Sequence, residues 1–173
     1  MVFAGVVPGR RGAVATLSRD LAQVSIHPCP LDASGEHDFA AMADLGRTLL
    51  VDALVVVERP AAGGGSLPRG LGPTTPATSP LDFVEPFVGY GAWRGILGSL
   101  GVVPALATRD AWRAVMLCGV DGGREAEIAA LGQLLPGHPV GELVGPAEVS
   151  TARAAALYLA YYAKVLWRLG KFP

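Results

Sequence analysis

The sequence predicts an α/β fold on a mixed five-stranded sheet, three antiparallel strands followed by two parallel ones, with helices on both faces. Three observations lead there. Two strand-length runs rich in β-branched residues, Val2–Val7 and Ala13–Leu17, flank Pro8-Gly9-Arg10-Arg11-Gly12, whose proline and glycines are turn chemistry. The first run has no polar alternation, which marks a strand buried on both faces. A further apolar run, Ala53–Val57, follows a segment of helical periodicity, so it lies parallel to the first strand through a right-handed crossover.

The elements follow in order. After the hairpin, Ala22–Ile26 reads as a third strand, closed by His27-Pro28-Cys29-Pro30, and completes a three-stranded meander. Leu31–Glu36 is polar and turn-like. Within Asp38–Leu50 the apolar residues Phe39, Met42, Leu45, Leu49 and Leu50 recur at helical spacing. Ala53–Val57 ends in Glu58. About 59–86 is a Pro/Gly-rich arm with Gly63-Gly64-Gly65 and six prolines; it reads either as a surface arm that docks on a partner or as a disordered insertion. No Gly-Lys-Ser/Thr follows its glycines, which excludes a Walker-type phosphate loop. In 88–101, Tyr90, Trp93, Leu97 and Leu100 make one apolar helix face. Gly91, Gly95 and Gly98 suggest close approach of another backbone, since each glycine costs a helix about 1 kcal/mol against alanine. Val102–Ala105 reads as the fifth strand, and Thr108–Val115 as a short segment with Thr108 as N-cap. Gly122–Leu135 reads as an amphipathic helix, 137–146 as loop, and Ser150 as the cap of a last helix running to Leu169.

Bulk composition narrows the function. With 173 residues and 51% hydrophobic content, the chain can bury one sizeable core, so 1–173 reads as one domain. Mean hydropathy is +0.40, yet no run reaches the roughly 18 apolar residues of a membrane span. No targeting segment is visible ahead of the first strand. Net charge is −1, and Lys164 and Lys171 are the only lysines among 14 basic residues. A protein that lives on duplex nucleic acid usually carries a basic excess, so here only a local arginine patch would serve. Cys29 and Cys118 read as reduced, buried thiols; with His27, His37 and His138 they form no metal-ligand spacing.

The element order is that of a ribonuclease-H-like fold, and four stretches carry a more specific resemblance. Val2–Gly12, Val55–Arg59, the block from Gly89-Tyr90-Gly91 through Val103-Pro104 to Thr108–Arg113, and Arg153–Ala160 together resemble the RuvC-type Holliday-junction resolvases. The similarity is greatest to the chloroplast branch and its phage and bacterial relatives. The resemblance implies two-metal phosphodiester hydrolysis, with Mg²⁺ ions roughly 4 Å apart held by three or four converging carboxylates. It places those carboxylates at positions 7, 58, and near 150 and 155. This chain has Val7, Glu58, Ser150 and Ala155 there, with Glu148 the one acid near the last helix start.

One surviving carboxylate cannot hold a metal pair, so the expectation is a pseudoenzyme with a vestigial Glu58, no metal and no cofactor. Glu58 reads as a salt-bridged strand end, with Arg10, Arg11 or Arg59 as partner. Trp112-Arg113 reads as packing beside a solvated arginine, and Tyr158, Tyr161, Tyr162 and Trp167 as a packing face rather than base-stacking groups. The function expected first is a structural or assembly subunit of a larger organellar complex, in the mitochondrion ahead of the plastid, such as a ribosome or respiratory-chain assembly, with protein partners. The alternative is a homodimeric binder of branched DNA or structured RNA, with Arg10, Arg11, Arg59, Arg69, Arg94 and Arg113 as contacts. Mg²⁺-dependent junction cleavage ranks last.

Overall fold

In the computed structural model, which describes residues 1–60 and 80–172, β1 (Val2–Val7), β2 (Ala13–Ser18) and β3 (Val24–Pro28) form the antiparallel meander. Helix α1 (Phe39–Leu49) crosses to β4 (Ala53–Arg59), which pairs parallel with β1; α2 (Pro80–Ser99) crosses to β5 (Ala105–Thr108), parallel to β4. Sheet order is β3-β2-β1-β4-β5. Four helices close the chain: α3 (Arg109–Met116), α4 (Gly123–Leu134), α5 (Val140–Val144) and α6 (Ala147–Arg168). The mixed sheet and helical layers are those expected from the sequence.

β1 is central because both of its faces are apolar. Ala4 and Val6 pack with Val55, Val57, Met42, Trp93 and Leu97 under α1 and α2. Phe3 turns to the opposite face, against the alanine-rich side of α6. Gly5 sets how close that layer lies, because a Cβ there would sit 2.2 Å from the Ala156 carbonyl oxygen and 2.5 Å from the Ala160 nitrogen. Helix α1 starts where Asp38 accepts a hydrogen bond from the Ala41 N–H at 2.9 Å, an ordinary N-cap.

Several boundaries differ from the sequence reading. β3 runs Val24–Pro28 rather than Ala22–Ile26, because Leu21 (φ 64°) spends the preceding residues on a turn and Cys29 N–H then bonds the Gly12 carbonyl. β5 starts at Ala105 rather than Val102. A Schellman motif ends α2, with Gly101 (φ 73°) bonded to Gly98 and Val102 to Leu97, so Val102 is committed to capping. The span 137–146 contains α5. Of the arm at 59–86, Arg59 closes β4 and 80–86 form the opening turns of α2; 61–79 lie outside the described residues. Ser150 is no cap, since α6 starts at Ala147 and the Ser150 N–H bonds the Pro146 carbonyl.

The glycines of α2 also behave differently. Gly91, Gly95 and Gly98 face open space, whereas Gly46 of α1 meets Ile96 and Leu100, and Gly89 lies against the hairpin turn at Gly9. Cys29 is buried as expected, but Cys118 is exposed, because it follows the end of α3 in a surface turn.

Candidate functional site

Parallel pairing brings the carboxyl ends of β1 and β4 to one edge of the sheet. Val6 pairs with Val57, so Val7, the last residue of β1, and Glu58, one before the end of β4, lie on neighbouring strands side by side. β5 ends at the same edge, where Thr108 caps α3 and Arg109 follows. The first turns of α6 descend onto this edge, adding Ala147, Thr151 and Ala155. Together with Arg11 from the hairpin turn and Ala152, these residues line an open cleft of about 400 Å³. A smaller pocket of about 180 Å³ adjoins it, with Arg109 and Thr151 lining both, and adds Arg113, Arg124, Glu127 and Ser150.

The hairpin turn is pinned so that Arg11 stays at the cleft. The Arg10 backbone N–H donates to Glu85 of α2 at 2.5 Å, and the Arg10 guanidinium pairs with Glu36 at 2.6 Å. Gly9 (φ 109°) supplies the left-handed residue of the turn, and Gly12 N–H closes it on the Gly9 carbonyl at 2.8 Å.

Glu58 is held by an indole. Trp112 Nε1 donates to Glu58 Oε2 at 2.9 Å, across 54 residues of sequence. Burial raises the Glu58 carboxyl above the usual carboxylate range, against the opposing pull of that hydrogen bond and of the Arg109 and Arg113 charges. Trp112 is locked in turn. It stacks on Tyr158 with centroids 5.8 Å apart, and the Arg113 guanidinium lies 5.7 Å from its ring centre. Arg113 is committed to Glu127 by hydrogen bonds of 2.6 and 3.3 Å, and Tyr158 donates to the Glu127 backbone carbonyl at 2.5 Å. Burial, then the nearby Glu127 charge, pushes the Tyr158 hydroxyl up to about 12, so it remains a donor across the physiological range.

The donor set does not fit a magnesium pair. Among the described residues, Glu58 is the one carboxylate lining the main cleft, and no cluster of three or more His, Cys, Asp or Glu side chains could hold a metal ion. Valine and alanine carry no lone pair for a hard cation, and the guanidiniums of Arg11 and Arg109 repel one. Among the described residues, two-metal hydrolysis finds no ligand set in the side chains of this edge; the side chain of Glu148 lies outside them.

The structure sorts the residues singled out in the sequence. Val7, Glu58 and Ala155 converge on the cleft, whereas Ser150 turns to the adjoining pocket, where its Oγ accepts from Arg124 Nε at 2.6 Å. The partner of Glu58 is Trp112 rather than Arg10, Arg11 or Arg59, because Arg10 is engaged by Glu36. Arg11 and Arg113 lie at the cleft and its pocket; Arg59 ends β4, exposed. Arg94 lies elsewhere, on α2 over the Tyr90 ring, and Arg69 falls outside the described residues. Tyr158 is fully buried, and Trp167 packs against Phe3 while Arg19 covers its ring. Sequence reasoning missed Arg109, Arg124 and Thr151. Arg109 carried a readable signal, since ligand sites gather at the carboxyl ends of parallel strands, and correct placement of β5 puts Arg109 just beyond one.

No family model and no curated protein sequence matches the chain. Solved structures do. The chain is similar to a Thermus thermophilus RuvC structure at a TM-score of 0.59 and 15% identity, covering 99% of this chain and 98% of that one. It is also similar to T. thermophilus RuvC in complex with Holliday junction substrate, at a TM-score of 0.60 and 16% identity, covering 99% and 97%. At such identity the likeness speaks for architecture: from end to end, the chain has the fold of the RuvC resolvases.

Proposed function

We propose that the chain is a non-cleaving resolvase-fold protein that holds branched DNA or structured RNA. The observation that carries this reading is the substitution of charge at the carboxyl edge of the sheet. Where a two-metal nuclease needs converging carboxylates, the described residues of this edge offer Val7 and Ala155 beside a single Glu58, with Arg11 and Arg109 at the cleft and Arg113 and Arg124 in the adjoining pocket. Arginine is the side chain best suited to phosphate oxygens, because its planar fork donates two parallel hydrogen bonds and stays charged. The near-neutral net charge by itself favours an assembly role, but the charge is unevenly placed, and a local patch suffices for backbone contact.

The test is binding of a four-way junction and of a linear duplex across a salt series, in EDTA. The reading expects affinity that falls steeply and log-linearly with salt, by a slope of about −0.9 per phosphate contacted. Flat salt dependence, or no binding at low salt, contradicts it.

A second reading, an assembly subunit, is favoured by a different face. Phe39 of α1 and Phe87 and Val88 of α2 are 54%, 49% and 46% exposed, and they border a shallow apolar groove floored by Gly91, Ala92, Gly95 and Ile96. Contiguous exposed apolar surface of this kind marks protein contact. Light scattering over a concentration series tests it: Phe87→Glu should shift a dimer or larger particle to monomer. A wild-type chain that is monomeric at every concentration removes this reading.

A further inference from the structure

We infer that the pocket beside the main cleft is a metal-free seat for a phosphoryl group, held by guanidiniums. The inference deepens the nucleic-acid reading and rests on it only for the source of the phosphate.

Among the described residues, three guanidiniums, Arg109, Arg113 and Arg124, line the pocket against one carboxylate, Glu127. Arg113 and Glu127 neutralise each other through their paired hydrogen bonds, so Arg113 acts as a brace. That leaves Arg124 for a ligand, together with Arg109, whose charge is shared with Glu58 across the main cleft. Arg124 is oriented rather than loose, because its Nε donates to Ser150 Oγ at 2.6 Å and Ser150 is fully buried. With Nε engaged, its two terminal nitrogens keep their N–H groups for an anion. Arg109 is fixed at its backbone by the Thr108 cap of α3 and lines both the pocket and the main cleft. The exposed Thr151 hydroxyl adds a neutral donor. An oriented guanidinium, a second one from α3 and a hydroxyl lining the same pocket supply the charge and donors a phosphate takes, and a pocket of about 180 Å³ has room for one.

The experiment titrates inorganic phosphate, then a short oligonucleotide with and without a 5′-phosphate, into the full chain in EDTA, followed by calorimetry and by ³¹P line broadening. Arg109→Ala, Arg124→Ala and Arg124→Gln are compared with wild type, and Arg47→Ala on α1 serves as a remote control. Circular dichroism confirms folding of each variant. Saturable one-to-one phosphate binding in EDTA is expected. Each of the three pocket substitutions should weaken it by about ten- to a hundredfold, the worth of a charge-assisted hydrogen bond, and Arg47→Ala should leave it unchanged. A preference for the 5′-phosphorylated oligonucleotide assigns the seat to strand ends, and equal affinity assigns it to the backbone. Absence of saturation in every arm, or binding that appears only with Mg²⁺, overturns the inference. Junction binding that survives Arg109→Ala and Arg124→Ala unchanged removes the seat and leaves the nucleic-acid reading standing. Phosphate binding without junction binding does the reverse.

Discussion

Gly5→Ala should be the most damaging single-methyl change in the sheet. The added Cβ would lie 2.2 Å from the Ala156 oxygen, 2.5 Å from the Ala160 nitrogen and 2.6 Å from the Leu159 Cβ, where ordinary contact begins at 3.4 Å. Two of those three atoms are α6 backbone, so no rotamer change relieves the clash. The helix must lift by roughly 1 Å from β1, against a packed interior that resists such shifts. Overpacking of this kind costs about 1–3 kcal/mol, and the immovable neighbours put this site at the upper end. Replacing a strand glycine returns about 0.5–1 kcal/mol of backbone entropy. The net is a loss of about 2 kcal/mol, or a Tm lower by about 4–8 °C for a chain of this size. Gly91→Ala is the internal control: it has nothing within 4 Å of its added Cβ and sits within a helix, so it should gain about 1 kcal/mol. Differential scanning calorimetry on both variants checks the pair. A Gly5→Ala protein as stable as wild type would refute the close seating of α6 on β1, and with it the placement of Thr151 and Ala155 at the cleft.

Three further predictions concern buried polar groups. The Glu58 carboxyl titrates above its ordinary value of 4.5, so the folded chain holds that proton more tightly than the unfolded one. Its contribution is therefore greatest below that value and declines as pH rises through the raised folded value; Glu58→Gln should flatten this decline in a urea-unfolding pH series and leave the chain more stable at neutral pH, and an unchanged profile would count against it. Trp112→Phe removes the indole N–H from a buried carboxylate and should cost about 1–3 kcal/mol, a cost that shrinks in the Glu58→Gln background; strict additivity in the double-mutant cycle would deny the coupling. Burial, opposed by Trp93 and reinforced by Glu85, pushes the Cys29 thiol up to about 11, while Cys118 is exposed. Maleimide at mildly alkaline pH should therefore label one thiol in the folded protein and two after unfolding, as mass spectrometry would count; rapid double labelling of the native chain would show Cys29 to be accessible.

How much of this is legible in the sequence follows from which signals are local. β1, β2, β4 and α1 announce themselves through periodicity and turn chemistry within a dozen residues, and the fold follows from their order. β5 is misplaced by sequence because Val102 looks like a strand residue, whereas its N–H caps α2. That shift hides Arg109, which becomes a strand-end residue only when β5 closes at Thr108. The opening of α2 resembles an arm because of its prolines, yet Pro80 stands at the helix start, where a missing N–H costs nothing. That positions 7 and 155 carry valine and alanine is visible position by position. The arginine cluster beside them is not, since Arg109, Arg113 and Arg124, with Thr151, come from three helices and meet only after folding. The partner of Glu58 is illegible for the same reason: its sequence neighbours offer guanidiniums, and tertiary packing supplies an indole.

The most direct test of the central claim, a resolvase fold whose catalytic edge holds anions and does not cut, is incubation of a labelled four-way junction with the protein, in EDTA and in Mg²⁺, scoring complex and cleavage from the same reaction. The account predicts the same complex in both conditions, weakened by Arg109→Ala and Arg124→Ala, and an uncut junction throughout. Symmetrical nicking that requires Mg²⁺ and disappears in Glu58→Ala would contradict it.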